Sequence, residues 1–381
     1  IDMGPLAGVR IVELAGIGPA PFCGMLLADL GADVVLVDRK GGSLPFNASP
    51  EFDLTRRGKR SITLDLKRPE AAGVVLRLLE GADGLIEGFR PGVMERLGLG
   101  PEPCLSRNPR LVYGRLTGWG QSGPLAQAAG HDINYVALSG LLIHGGHRDS
   151  PPSVPPTVVG DIGGGALFMA VGLLAGILSA RESGRGQVID AAITDGCTLM
   201  GTLLQGLRAQ RLWADRRQAN ALDGAAHWYD CYQCADGKWI SIGALEPQFY
   251  RLLLEKCGLE GEGIEDAQFD FPDWPRHKER MTELFRSRPR AEWCELLEGT
   301  DVCFAPVLNF PEAAAHPHNR ARGAYVEVGG ITQPAPAPRF GGTPAQLRRP
   351  PPQAGADTQQ LLEAAGYAEE EIAGLVRSGV V

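Results

Sequence analysis

Residues 9–38 read VRIVELAGIGPAPFCGMLLADLGADVVLVD, and this stretch decides the fold. Val9 to Leu14 is a short β-type run. A helix from about Pro19 follows the turn at Gly16-Ile17-Gly18, and Asp33 to Asp38 is a second strand. Working outward, Ser61 to Leu66, Gly84 to Phe89 and Leu111 to Leu116 repeat the strand signal with helical segments between. Strands alternating with helices mean an α/β fold, a parallel sheet covered on both faces. Two long apolar helices are expected at about 165–182 and 190–212, and the small residues Ala219 to Ala226 read as a linker. Beyond it, Trp228 to Cys234, the turn Ala235-Asp236-Gly237 and Lys238 to Gly243 make a hairpin, with helices to about residue 300. This is a second, smaller α+β unit. A Pro-rich passage, Gln333 to Gln353, leads to a helical end at Asp357 to Arg377.

The chain has 381 residues, 44% hydrophobic and 22% charged, the apolar content of a globular protein with one large domain or two smaller ones. Its 51 glycines and 29 prolines stop short of low complexity, so glycine must serve ordered turns and close backbone approaches. A formal net charge of −8 argues against a general nucleic-acid binder and requires any anionic ligand to be held locally. Eight scattered cysteines read as reduced thiols of a cytoplasmic protein. Cys231 and Cys234 share a C-x-x-C but fit strand alternation better than zinc, and His316-Pro317-His318 lacks further ligands, so no metal site is expected. The longest apolar run, Gly165 to Ala180, is short for a bilayer and reads as a buried helix, so no membrane span is expected. Neither a signal peptide nor a peroxisomal C-terminus is read, and Ile1-Asp2 ahead of Met3 reads as an addition to the natural start.

Gly16-Ile17-Gly18-Pro19-Ala20-Pro21 imitates a dinucleotide fingerprint but has Pro21 where the third glycine belongs, so it reads as a tight strand-to-helix turn with Pro19 at the first helical position. Six cations, Arg56, Arg57, Lys59, Arg60, Lys67 and Arg68, surround one strand, while Arg39-Lys40 and Arg90 close its neighbours. Gathered at the carboxyl edge of a parallel sheet, they would pair with the phosphates of a small molecule. Gly118-Trp119-Gly120-Gln121-Ser122-Gly123-Pro124 is a loop able to approach a ligand but lacks the Lys-Ser/Thr of a P-loop. In Gly130-His131-Asp132-Ile133-Asn134-Tyr135, Asp132 fits a helix N-cap, which places His131 beside free backbone N–H groups suited to an oxyanion. Adjacent helical residues diverge, so Asp132 is poorly set to orient His131. Gly160-Asp161-Ile162-Gly163-Gly164-Gly165 puts a carboxylate at another helix start, where three glycines read as close backbone approach to a ligand. Glu246, in Glu246-Pro247-Gln248-Phe249, sits where a strand of the small unit meets a helix, and capping is its plain role.

These segments, together with Gly31-Ala32-Asp33-Val34-Val35, Thr63-Leu64-Asp65-Leu66-Lys67, Glu87-Gly88-Phe89-Arg90-Pro91-Gly92-Val93 and Arg96-Leu97-Gly98, resemble the alpha-methylacyl-CoA racemases within the family III CoA-transferases. The resemblance spans nearly the whole chain. It implies a Rossmann-like large domain built from both chain ends, a smaller α+β domain and an interlocked homodimer with active sites between subunits. The domain plan is then 3–212 large, 213–226 linker, 227–320 small, and 321–381 linker and return to the large domain. By resemblance His131 and Asp161 are acid/base residues on opposite faces of the substrate's C2, with Asp132 and Glu246 close by. Contacts to CoA fall on Arg39, Leu64, Asp65, Leu66, Lys67, Gly88, Phe89, Arg90, Arg96, Gly130, Ile133, Asn134 and Tyr135. The partner implied is an acyl-CoA thioester, and CoA enters as part of the substrate, with no separate cofactor. His131 separates this reading from a CoA-transferase using Asp161 as nucleophile, and intact His131 and Asp161 argue against a non-catalytic acyl-CoA binder.

Overall fold

The structure, a computed structural model, describes residues 4–42 and 49–381; the start read at Ile1-Asp2-Met3 lies outside the described residues. The chain divides into two compact units, one of residues 4–139, 155–200 and 325–381, the other of 140–154 and 201–324. Segments 140–154 and 201–226, which the sequence reading gave to the large domain and linker, thus fall in the second unit.

In the first unit β1 (Arg10–Leu14), β2 (Asp33–Arg39), β3 (Arg60–Leu64), β4 (Gly84–Glu87), β5 (Val112–Thr117) and β6 (Gln187–Ala192) form one sheet in the order β3-β2-β1-β4-β5-β6. All five pairings are parallel. Between them run α1 (Pro19–Asp29), α2 (Pro69–Leu79), α3 (Val93–Arg96), α4 (Pro101–Arg107), α5 (Asp132–Ser139) and α6 (Leu167–Ser183), and α7 (Ile193–Met200) follows β6. Strand order reverses between β1 and β4, and a crevice outside the carboxyl ends of those strands is where such sheets bind ligands. Pro19 stands at the first position of α1, as the turn reading requires. One face of the sheet buries Val12, Val35, Ile62, Leu85 and Tyr113 against Val75 and Leu79 of α2.

The helix expected over 190–212 is instead β6 followed by α7 and α8 (Thr202–Ala209). Gln187 to Ala192 pairs along its full length with β5, and this long-range pairing overrides an ambiguous local pattern. Gly201 separates the two helices. The helix expected from 165 begins earlier. A π-helix, Val158–Ala166, runs into α6, giving an apolar helical segment of 26 residues, long enough to cross a membrane by length and composition. Met169, Ala170, Leu173, Gly176, Ile177 and Ala180 of α6 are buried, and the helix packs on β5 and β6. Leu167, Val171 and Leu178 remain exposed.

The cation cluster is mostly internal. Arg56 makes a bidentate pair with Asp38 at 2.8 and 2.6 Å, and Arg57 binds both oxygens of Asp29 at 3.3 and 2.6 Å. Arg60 holds Asp33 at 2.9 and 2.6 Å, and Lys59, fully buried, pairs with the fully buried Glu13 at 2.6 Å. These four are ties between strands and helices rather than phosphate ligands. The chain's last segment completes the unit: Ser61 N–H donates to Asp357, Asp65 N–H to the Val380 carbonyl and Gly58 N–H to the Arg349 carbonyl, while Leu361, Leu362 and Ile372 enter the core.

The second unit contains the antiparallel sheet β7 (Tyr229–Gln233), β8 (Trp239–Gly243) and β9 (Phe304–Val307), in the order β7-β8-β9. The hairpin is as read; β9 was not. Helices α9 (Pro247–Cys257), α10 (Trp274–Phe285) and α11 (Arg290–Leu297) enclose a core of Trp228, Tyr250, Phe285 and Trp293. His227 is buried there. The Tyr250 hydroxyl donates to the Ile264 carbonyl at 2.8 Å, so it accepts from His227 Nε2 at 2.7 Å, and His227 Nδ1 is left buried without a partner. Burial first, then the charges of His277 and Lys278, push the imidazole pKa down to about 3. An unfolded histidine titrates near 6.5, so this contribution is complete above that pH and is lost as pH falls toward 3, by about 1.4 kcal/mol per unit. Denaturant melts at pH 7.5 and 5 should show that loss, and His227→Gln should flatten it; an unchanged slope in the variant would refute the assignment.

Candidate active site

The site is built where β1, β4, β5 and the π-helix end or begin. After β5 the backbone enters the loop 118–124, and Trp119 packs edge-on against Tyr135, ring centroids 4.7 Å apart and planes at 84°. A Cβ on Gly118 would lie 2.0 Å from the Tyr135 ring, and one on Gly130 would lie 2.7 Å from it. These glycines admit the tyrosine, a protein side chain, rather than a ligand. The Tyr135 hydroxyl closes the arrangement by donating to the Gly130 carbonyl. Tyr135 is buried, and its pKa is raised by burial and by Asp161, against a lowering by Arg90.

His131 immediately precedes α5 and is exposed. Its carbonyl accepts from the N–H groups of Asn134 and Tyr135 at 2.8 and 3.3 Å, and its own N–H donates to Asn134 Oδ1 at 3.0 Å. The N-cap position therefore falls on His131, held by Asn134, and not on Asp132 as the sequence predicts. Asp132 is the first residue of α5, is buried, and turns its carboxylate away to accept the Asp161 N–H at 2.7 Å. Gly160 makes room for that bond, since a Cβ there would stand 2.4 Å from Asp132 Oδ2.

Asp161 is not an N-cap. It lies inside the π-helix, whose preceding residue Thr157 has φ +61°, and wide-pitched helical turns of this kind recur at functional sites. Its half-buried carboxyl is pushed up to about 6, by burial first and the neighbouring Asp132 charge second, while His131 opposes the shift. Gly18, at the N-cap of α1 with φ +79°, faces it: a Cβ at Gly18 would sit 3.5 Å from Asp161 Oδ2. Cys197 of α7 also feels both carboxylates, and with burial they push its thiol up to about 11. The glycines after Asp161 do a different job from the one expected. A Cβ on Gly164 would meet Cys197 Sγ at 2.5 Å, and one on Gly196 would meet the Gly164 carbonyl at 1.9 Å, so the π-helix and α7 touch backbone to backbone.

The structure thus brings together His131, Asp132, Asp161, Gly130, Asn134 and Tyr135, with Arg90 acting on Tyr135. Arg39, Lys67, Gly88, Arg90 and Arg96 are exposed at or beyond the carboxyl ends of β2, β3 and β4. Ile133, two residues after His131, is 56% exposed, whereas Leu64 is fully buried in the core and Leu66 and Phe89 pack against it. Asp65 is held by its own turn, accepting from Lys67 N–H at 3.2 Å. Glu246 occupies the N-cap position of α9 in the second unit, without a side-chain cap bond. Sequence reasoning missed Cys197 and the Gly18 approach, which no local motif signals. The indole N–H of Trp119 and the amide nitrogen of Gln121 are buried without partners. Among the described residues no group of three or more His, Cys, Asp or Glu is placed to hold a metal ion.

Residues 6–358 match the family model described as CoA-transferase family III. An alpha-methylacyl-CoA racemase of Mus musculus is 44% identical over 96% of this chain and 95% of its own length. A succinyl-CoA:glutarate CoA-transferase of Homo sapiens is 29% identical over 99% of this chain and 90% of its own. A CAIB/BAIF family protein from Brucella suis has a solved structure that matches with a TM-score of 0.82 at 25% identity, covering 95% of this chain and 100% of that one.

Proposed function

The chain belongs to CoA-transferase family III, and we propose that within it this protein works as an alpha-methylacyl-CoA racemase, interconverting (2R)- and (2S)-2-methylacyl-CoA thioesters. The observation that carries the reading is Asp161, a carboxyl poised near pH 6 within the electrostatic reach of His131. The thioester carbonyl acidifies the C2 proton; one of the two residues removes it, and the other returns a proton to the opposite face. A group that must alternate between acid and base works best when its pKa lies near the operating pH. The N–H groups of Asp132 and Ile133, the first in α5, have no intrahelical acceptor and suit the enolate oxygen. Asp132 holds the Asp161 backbone in place. The exposed cations Arg39, Lys67, Arg90 and Arg96 suit the phosphates of CoA, and the proton transfer draws on side chains alone, with no further cofactor.

Glu246 is kept as a supporting carboxylate on the strength of the family likeness. A homodimer is proposed too, supported in the first unit by the exposed Leu167, Val171, Leu178, Val188 and Leu199, an apolar set that a second copy would cover. Eight free thiols support a reducing, cytoplasmic compartment. Incubation with a 2-methylacyl-CoA in deuterated water tests the activity: deuterium should enter C2 as the stereochemistry scrambles. Transfer of CoA to a free acid without C2 exchange would instead make it a transferase with Asp161 as nucleophile, and tight binding with neither reaction a non-catalytic acyl-CoA binder.

A further inference from the structure

Lys59 and Glu13 are the most completely buried ion pair in the first unit, both 0% exposed. The ammonium lies 2.9 and 2.6 Å from the two carboxylate oxygens and donates a further bond, at 2.9 Å, to the Pro21 carbonyl. Pro21 belongs to the first turn of α1, so one nitrogen ties that turn to β1, where Glu13 sits, from a position just ahead of β3. The sequence accommodates the pair at some sacrifice of helix propensity. Gly24, in the interior of α1, leaves the space that the carboxylate occupies, since a Cβ there would lie 1.8 Å from Glu13 Oε2 and 3.0 Å from Lys59 Nζ.

The turn so fixed reaches the site. Gly18 stands against the Asp161 carboxylate, and Pro19 is the next residue of the same turn, with its Cβ 3.1 Å from where a Cβ on Gly165 would lie. Gly18 holds φ +79° and ψ −130°, a conformation open to glycine and costly for other residues, so the turn needs an anchor to keep it. A buried ion pair by itself stabilises little relative to apolar residues of similar volume. The bond to the Pro21 carbonyl is one that apolar residues could not make.

We propose that Lys59, neutralised by Glu13, is a positioning residue for the Asp161 site: it pins the first turn of α1 and, through Gly18 and Pro19, sets the wall against which the Asp161 carboxylate stands. The inference rests on the acid/base reading of Asp161. Displacement of that wall misplaces the carboxylate relative to C2 and so affects the chemical step, whereas the exposed cations assigned to CoA are untouched.

The test replaces the pair with apolar residues, Glu13→Leu with Lys59→Met, which removes the tether without leaving a lone buried charge. The full chain should keep its thermal midpoint and its KM for the thioester, while kcat for racemisation falls on the order of 10- to 100-fold. Glu13→Gln, which keeps the amine on the Pro21 carbonyl, should lose stability yet keep kcat within about twofold of the parent. Parental kcat in the double variant, or an equal fall in kcat in both, overturns the proposal. Asp161→Asn is the reference: if it races on unimpaired, the reading of Asp161 fails, and if it stops while the double variant does not, only the tether fails.

Discussion

Asp161→Asn is expected to lower racemisation by roughly 10²- to 10⁴-fold, the usual worth of a positioned general acid or base. Asparagine is isosteric, and the bond from the residue to Asp132 uses the backbone N–H, so the π-helix keeps its fold in the variant. What disappears is a group that titrates near 6. With Asp161 intact, the direction of turnover in which it is the base should gain rate as pH rises through about 6, because the carboxylate must be ionised; the opposite direction, which needs the protonated acid, should lose rate over the same range. The limbs that belong to Asp161 should be gone in the variant. It should still exchange the C2 proton of the enantiomer presented to His131, slowly and without inversion. Each pure enantiomer followed by proton NMR in deuterated water separates these outcomes. Racemisation at the parental rate would show that Asp161 is not in the proton path.

Arg56→Met should unfold the protein more easily by about 3–5 kcal/mol, since it leaves the Asp38 carboxylate buried and unpaired. Arg56 and Asp38 are 4% and 6% exposed, their contact is bidentate, and Ser61 donates to the same carboxylate at 2.5 Å. The residue also donates to the Pro352 carbonyl at 3.3 Å, so the loss spreads to the C-terminal segment. The alternative reading of this arginine, as a phosphate ligand, makes the opposite forecast: an unchanged denaturation midpoint and a raised KM for the thioester. Urea melts beside steady-state kinetics decide between them.

The βαβ rhythm of residues 9–38 was legible because the strands are rich in Val, Ile and Leu and the helix between them opens on proline, signals that need no partner. Gln187 to Ala192 was not, because its strand character comes from β5, distant in sequence. The site shows the same division. His131 and Asp161 stand in glycine-rich stretches that mark themselves, but the glycines were read for the wrong neighbour: Gly118 and Gly130 clear Tyr135, and Gly164 clears α7. Charge was the least legible property. Arg56, Arg57, Lys59 and Arg60 look like a surface patch in sequence because their partners Asp38, Asp29, Glu13 and Asp33 arrive from other strands and helices.

The bonds from Ser61 to Asp357, from Gly58 to the Arg349 carbonyl and from Asp65 to the Val380 carbonyl impose an order on synthesis. On the ribosome, the sheet with its catalytic candidates emerges first, yet its β3 flank stays bare until nearly the last residue has been made, long after residues 201–324 have left the exit tunnel. Contacts that span most of the chain form slowly, and an uncovered strand edge invites the wrong partner in the interval. The growing chain therefore passes its most aggregation-prone period with that strand edge uncovered.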